Sequence, residues 1–252
     1  MKRILTPLLL MSALIASCAS APEPMQSVYP EETFKVGAGK YVQIAMINHG
    51  SIALRYRGFV IQVDPVANNA GKTVDYAQFP LPDVVLVTHE HGDHFNVQTL
   101  ESINSGSTRY IMNQTCYNTF LKGEVISNGE STKLDSHIAM DAVPAYNTTP
   151  GRERLHPKGN GNGYVLDFDG FRVYVSGDTE NVEEMADLKD IDVAFLSTNQ
   201  PYTMTVEQCI SAARVIQPKV LIPYHLSQTD MQAIADGLAG TDIEVRLYEE
   251  LR

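Results

Sequence analysis

The sequence predicts an α/β protein, a four-layer αββα sandwich in which two sheets pack face to face with helices outside, on two observations. Strand-forming runs crowd together before any helical pattern begins, and later strands alternate with helical segments. An apolar content of 44% over 252 residues suffices for one large core.

The elements follow in order. YVQIAMI, IALRY and FVIQV are β-rich runs separated by His49-Gly50-Ser51 and Arg57-Gly58, which predicts successive antiparallel strands. Asp64-Pro65 ends the third. After a loop, VVLVT is a short apolar strand leading into THEHGDHFN. Val97, Leu100 and Ile103 recur at helical spacing behind Asn96 as N-cap. RYIM is a strand, QTCYNTFLK a helix, and HIAMDAVPA a strand running into a polar loop over 147–163. GYVLDF and FRVYVSG form a hairpin around Asp169-Gly170. VAFL is a strand, and Thr205 to Gln208 form a capping box that opens a helix through Gln217. KVLIPYH is a buried strand, and a final helix and strand close the chain.

The N-terminus has a different texture. Lys2 and Arg3 precede a short apolar stretch and the small residues Ala16 and Ser17, so residues 1–17 read as a secretory signal. Ile15-Ala16-Ser17-Cys18 resembles the bacterial lipoprotein box, in which the Cys becomes the acylated first residue of the mature chain. A plain signal peptide with an incidental Cys, or an uncleaved anchor, is the alternative. The resemblance implies an exported protein held at the cell envelope, its membrane partner reached through a lipid on Cys18. Residues 18–36 are proline-rich and read as a flexible tether, leaving 37–252 as the folded domain. The formal charge of −11, or −13 once Lys2 and Arg3 are removed, argues against nucleic-acid partners. Cys116 and Cys209 read as small buried apolar residues, with a disulfide between them left open.

The chemistry concentrates in His89-Glu90-His91-Gly92-Asp93-His94. At an extended strand end, residues two apart point the same way, so His89 and His91 can bind one metal. Gly92 permits a sharp turn, after which Asp93 and His94 can face the same cavity, and Glu90 is left to solvent. Imidazoles and a carboxylate together suit zinc, with manganese or iron as substitutes. His156, Asp178 and His225 are ligand-capable residues at strand ends or in connecting loops, where sites of layered α/β folds lie.

THEHGDH resembles the HxHxDH signature of the metallo-β-lactamase superfamily, and a middle His, a Gly-Asp-Thr after a strand and a late His follow in that family's order. The resemblance spans roughly residues 40–248. It implies two divalent metals between the sheets, the first held by His89, His91 and His156, the second by Asp93, His94 and His225, with Asp178 bridging. A hydroxide bridging the metals would cleave an ester, phosphodiester, lactone or amide bond, with Asp93 steering it or passing a proton to the leaving group. Asp64 matches an early strand-end Asp that supports the site. Asn48-His49-Gly50-Ser51, VDP, PAYN, HPKGNGNGY, VSGDTE and YTMT resemble the branch of ascorbate-6-phosphate-lactonase-like hydrolases and N-acyl-phosphatidylethanolamine phospholipase D. That branch implies a small-molecule or lipid-like substrate.

One departure bears on the ligands. Members of the phospholipase type carry the middle His directly after the strand, where this chain has Ala145-Tyr146-Asn147. His156 is favoured as the ligand because an amide is a poor zinc donor, with Asn147 orienting a ligand or substrate. His49 is either a polar turn residue or a group supporting the site. Asn199, Tyr202 and Thr203, between a strand and a helix, fall where substrate contacts are expected. A metal-binding envelope lipoprotein with a vestigial site is the alternative function.

Overall fold

The computed structural model describes residues 21–26, 28–69 and 71–252. The signal segment and Cys18 lie outside the described residues.

The first strand comes earlier than expected. β1 (Glu31–Gly37) pairs antiparallel with β2 (Lys40–Asn48), Phe34 opposite Val42. The segment 18–36 is therefore not a tether throughout. Met25 is buried, and Glu31 accepts from its backbone N–H at 2.9 Å. Only Phe34 and Val36 mark the inner face of β1, too few apolar positions to stand out among prolines and acids. β3 (Ser51–Tyr56) and β4 (Phe59–Val63) continue the sheet as antiparallel neighbours. The loop after Asp64 holds a small hairpin, β5 (Asn68–Asn69) with β6 (Lys72–Thr73).

β7 (Val84–Leu86) then adds parallel to β4. Helix α1 (Val97–Ser102) starts where expected, Asn96 accepting from the Thr99 N–H at 2.9 Å. β8 (Arg109–Met112), α2 (Gln114–Phe120) and β9 (Glu124–Val125) complete this half. Among the described residues it is a seven-stranded sheet, ordered β1-β2-β3-β4-β7-β8-β9.

The second sheet is built from β10 (Ser131–Lys133), β11 (Ile138–Ala145), β12 (Gly161–Phe168) and β13 (Phe171–Val175), all antiparallel neighbours. Parallel strands β14 (Val193–Ser197), β15 (Val220–Tyr224) and β16 (Glu244–Val245) extend it. Between them run α3 (Val206–Ile216), opened by the expected capping box, and α4 (Met231–Gly237). The β12–β13 turn has positive φ at Asp169 and Gly170, the twist a two-residue hairpin needs.

The central strands are buried on both faces, and alternate residues divide between layers: Val42, Ile44 and Met46 of β2 join the inter-sheet core, Ala45 and Ile47 the outer one. Tyr56 meets Phe168 edge-on at 5.7 Å between ring centroids, and Phe34 meets Phe171 at 5.4 Å, each pair joining one sheet to the other. Leu100, Ile103, Cys116 and Phe120 cover the outer face of the first sheet, while Cys209, Ala212, Ala213 and Ile216 pack α3 against the second. The result is the four-layer αββα arrangement. Cys116 and Cys209 are both buried free thiols. Burial pushes the Cys209 thiol up to about 12 against a smaller opposing contact with Thr198, and raises Cys116 as well.

Candidate metal centre

The ends of β4, β7, β11, β13, β14 and β15, with the β2–β3 turn, meet on one rim between the sheets. There the structure gathers the ligand-capable residues into three overlapping sets. His89, His91, His156 and Asp178 offer donor atoms close enough to share one ion; so do His94, Asp178 and His225, and so do His49, Asp93 and His225. Asp178 belongs to two of the three sets. Its Oδ2 lies 3.2 Å from His156 Nε2, 3.8 Å from His89 Nε2 and 3.4 Å from His225 Nε2, while its Oδ1 lies 3.3 Å from His94 Nε2.

Those spacings bear on what the site can hold. His91 Nδ1 is 3.0 Å from His89 Nε2 and 3.2 Å from His156 Nε2. Donors around a tetrahedral zinc at ordinary bond lengths sit roughly 3.3 Å apart. Nε2 of His94 and Oδ1 of Asp178 are buried without a hydrogen-bond partner, a state a coordinated cation relieves. The donor set therefore fits divalent metal ions.

Supporting contacts aim the rings. Asp64, wholly buried, accepts from Thr88 N at 2.8 Å and Thr88 Oγ1 at 2.7 Å, and takes the Nδ1 proton of His94 into a 2.7 Å contact. Thr88 Oγ1 in turn lies 3.0 Å from His89 Nδ1. One carboxylate thus orients an imidazole in each of two sets and leaves both Nε2 atoms facing inward. Asn147 does the same for His156, its Oδ1 3.0 Å from Nδ1, and its amide donates to the Tyr202 carbonyl at 2.8 Å. Both ends of the Asn147 side chain are thereby occupied, and His156 turns Nε2 to the first set.

Two expectations change. Gly92 does not adopt positive φ, and an added Cβ would meet nothing within 4 Å, so the turn does not require glycine. Hydrogen bonds from His94 N and Phe95 N to the His91 carbonyl close it instead. Glu90 is not left to solvent. Both of its carboxylate oxygens accept from Asn160 Nδ2, at 2.8 and 2.9 Å, and Oε2 also accepts from Asn113 Nδ2 at 3.3 Å. It clamps the segment bearing His89 and His91 to the loop bearing His156.

Glu180 was also missed. It is buried beside Asp178 and binds the Thr148 and Thr149 N–H groups at 2.8 and 2.7 Å, which holds the start of the His156 loop. Its position directly after Gly-Asp-Thr was the available signal. Asn199 and Thr203 close a tight turn, Thr203 N donating to the Asn199 carbonyl at 2.8 Å. Tyr202 stands 49% exposed in that turn, and a cavity of about 430 Å³ opens between Asn199 and Asp230.

Electrostatics suit metal binding. Burial, then the neighbouring His94 charge, holds His89 well below the ordinary histidine range, so it stays neutral. Burial opposes ionisation of Asp178, but His225 and His94 outweigh it and keep the carboxylate charged. Asp93 follows the same pattern, burial being overcome by contacts with His225 and His49. Neutral imidazoles and ionised carboxylates are the forms that bind metal. At His94 the Asp178 and Asp64 carboxylates overcome burial and favour the protonated form.

Comparison with known proteins agrees. Residues 43–225 match the family described as the beta-lactamase superfamily domain, and the chain belongs to the metallo-β-lactamase superfamily. Within it, this is a metal-dependent hydrolase. A crystal structure from Parabacteroides distasonis, assigned as a metal-dependent hydrolase, is 46% identical with a TM-score of 0.85, covering 89% of this chain and 100% of that one. The UPF0173 metal-dependent hydrolase of Lysinibacillus sphaericus is 24% identical over 219 residues, covering 81% of this chain and 96% of that protein. A metallo hydrolase from Ignicoccus hospitalis shares the fold at a TM-score of 0.70 and 23% identity, covering 84% of this chain and 96% of that one.

Proposed function

We propose that this chain is a dinuclear hydrolase, anchored at the cell envelope through Cys18, that cleaves an ester, phosphodiester, lactone or amide bond in a small or lipid-like molecule. The observation carrying the dinuclear reading is Asp178, whose two carboxylate oxygens face different histidines. His89, His91 and His156 would hold one metal, Asp93, His94 and His225 the other, and Asp178 both. Zinc is the favoured metal on donor type, with manganese or iron as substitutes. Bound there, the metals supply hydroxide at neutral pH and polarise the scissile group.

The chain's own residues do the rest. Asp93 is part-exposed at the mouth of the site and 3.2 Å from His225 Nε2, a suitable position for moving a proton to a leaving group. Tyr202 and Asn199, tied to His156 through Asn147, are suited to contact the rest of the substrate. The motifs Asn48-His49-Gly50-Ser51 and HPKGNGNGY support the lactonase-like and phospholipase-D-like branch.

The test is metal content by plasma mass spectrometry beside a panel of phosphodiester, lactone and β-lactam substrates. Two equivalents and turnover are expected, with Asp178→Ala losing both. Under one metal per chain and no turnover would favour a metal-binding lipoprotein with a vestigial site. Cys18→Ser should release the protein from membranes; unchanged membrane association would refute the anchor.

A further inference from the structure

We propose that His49 is a fifth donor to the second metal position, beside Asp93, His94, Asp178 and His225. The inference rests on the dinuclear reading.

His49 lies outside the HxHxDH motif, in the turn between β2 and β3. Its Nε2 sits 3.5 Å from Asp93 Oδ2. That is too long for a charge-assisted hydrogen bond, which runs at about 2.7–2.9 Å. It is close to the roughly 3.3 Å expected of two donors on one cation. The same Asp93 oxygen lies 3.2 Å from His225 Nε2 and 3.9 Å from His94 Nε2, so His49 stands as near to it as the expected donors do, and His49, Asp93 and His225 are close enough to share one ion. The His49 and His225 rings lie 3.8 Å apart between centroids, and both direct Nε2 at that oxygen.

The turn is built to hold the ring there. His49 is 7% exposed, which rules out a simple solvated turn residue. Its φ is 52°, a left-handed conformation costing about 1–2 kcal/mol for a residue with a side chain. Backbone bonds from His49 N to the Glu250 carbonyl and from His225 N to the His49 carbonyl, both 3.2 Å, fix it against that cost. At Gly50 an added Cβ would lie 2.8 Å from His94 Cε1, so the backbone itself abuts the second ligand ring. His49 Nδ1 is buried without a hydrogen-bond partner. The polar neighbour of Nε2 is the Asp93 carboxylate, at a distance that suits two donors sharing a cation better than a direct hydrogen bond.

The test uses metal-free full-length protein titrated with Co2+, followed by visible absorption and by competition with a chromogenic chelator. Wild type should take two equivalents, the one at the second position giving the weak d–d bands of a five-coordinate ion. His49→Asn keeps a residue tolerated at positive φ but shortens its reach; His49→Gln is the second variant. The metal-free variants should melt within a few degrees of wild type. Affinity for the second-position ion should fall on the order of 10–100-fold, as for lesser changes around metal sites, and its bands should intensify toward four-coordinate values. Unchanged affinity and spectrum in both variants overturn the proposal. Weaker binding with an unchanged spectrum also overturns it, since His49 would then act only by holding Asp93. A wild-type protein taking fewer than two equivalents refutes the dinuclear reading, and the proposal with it.

Discussion

Replacing Asp64 probes the support beneath both proposed metal positions. Its carboxylate is completely buried and accepts three hydrogen bonds, from Thr88 N, Thr88 Oγ1 and His94 Nδ1, at 2.8, 2.7 and 2.7 Å. Asp64→Ala strands those donors without water, at about 1–3 kcal/mol each. A left-handed backbone, with φ of 47° at this position, adds about 1–2 kcal/mol for alanine. The sum is comparable to a whole domain's stability of about 5–15 kcal/mol, so Asp64→Ala should unfold or nearly so. Asp64→Asn separates stability from orientation. Asn tolerates this φ and can still accept from Thr88 N, but its NH2 then faces both the Thr88 hydroxyl and the His94 N–H, which share the other Asp64 oxygen. Loss of the charged acceptor should cost about 1.5–3 kcal/mol. Misaimed His89 and His94 rings should weaken metal binding on the order of 10–100-fold. Urea unfolding of the metal-free proteins reads the first quantity, and chelator competition the second. An Asp64→Ala protein within 1 kcal/mol of wild type, or an Asp64→Asn protein binding metal as tightly as wild type, would refute this reasoning.

Three further outcomes are expected. Glu90→Ala should release Asn160 and weaken the first metal position on the order of tenfold, which calorimetric titration would detect; equal binding means that the His156 loop is held without this clamp. In a Cys18→Ser protein at pH 8, no thiol should react with iodoacetamide while the chain is folded, because burial holds Cys209 near 12 and raises Cys116; mass spectrometry should find two labels only in denaturant. Glu184 has its pKa lowered, burial being outweighed by contacts with Lys158 at 2.9 Å and the Tyr146 hydroxyl at 2.9 Å. A depressed folded-state pKa stabilises the protein above the ordinary carboxylate value of 4.5, and that stability is lost as pH falls through the lowered value. Urea midpoints of wild type and Glu184→Gln should therefore differ at pH 7 and converge toward pH 3; a constant gap across that range counts against the assignment.

The alternating runs from Tyr41 to Val63 and the capped helices behind Asn96 and Thr205 carry their own periodicity and start signals, which is why they could be placed from sequence. β1 could not, because an edge strand with two inward apolar residues gains its stability from the neighbour it pairs with. The role of Glu90 escaped notice for a related reason. A carboxylate between two histidines looks solvated until Asn160, seventy positions away, is brought to 2.8 Å.

By itself the sequence determined the candidate donors: five titratable residues within six positions after an apolar strand, with His156, Asp178 and His225 in a loop and at other strand ends. Ligand identity is a property of side-chain type and local spacing, and both are written in the chain. Only the tertiary structure placed His156 rather than Asn147 among the clustered donors, by setting the Asn147 Oδ1 3.0 Å from His156 Nδ1 and turning Nε2 inward. It alone brought His49 beside Asp93, 44 positions further along the chain, and set Asp178 between two groups of histidines. Those placements depend on where the two sheets close on one another, and a closure distance has no local sequence signal.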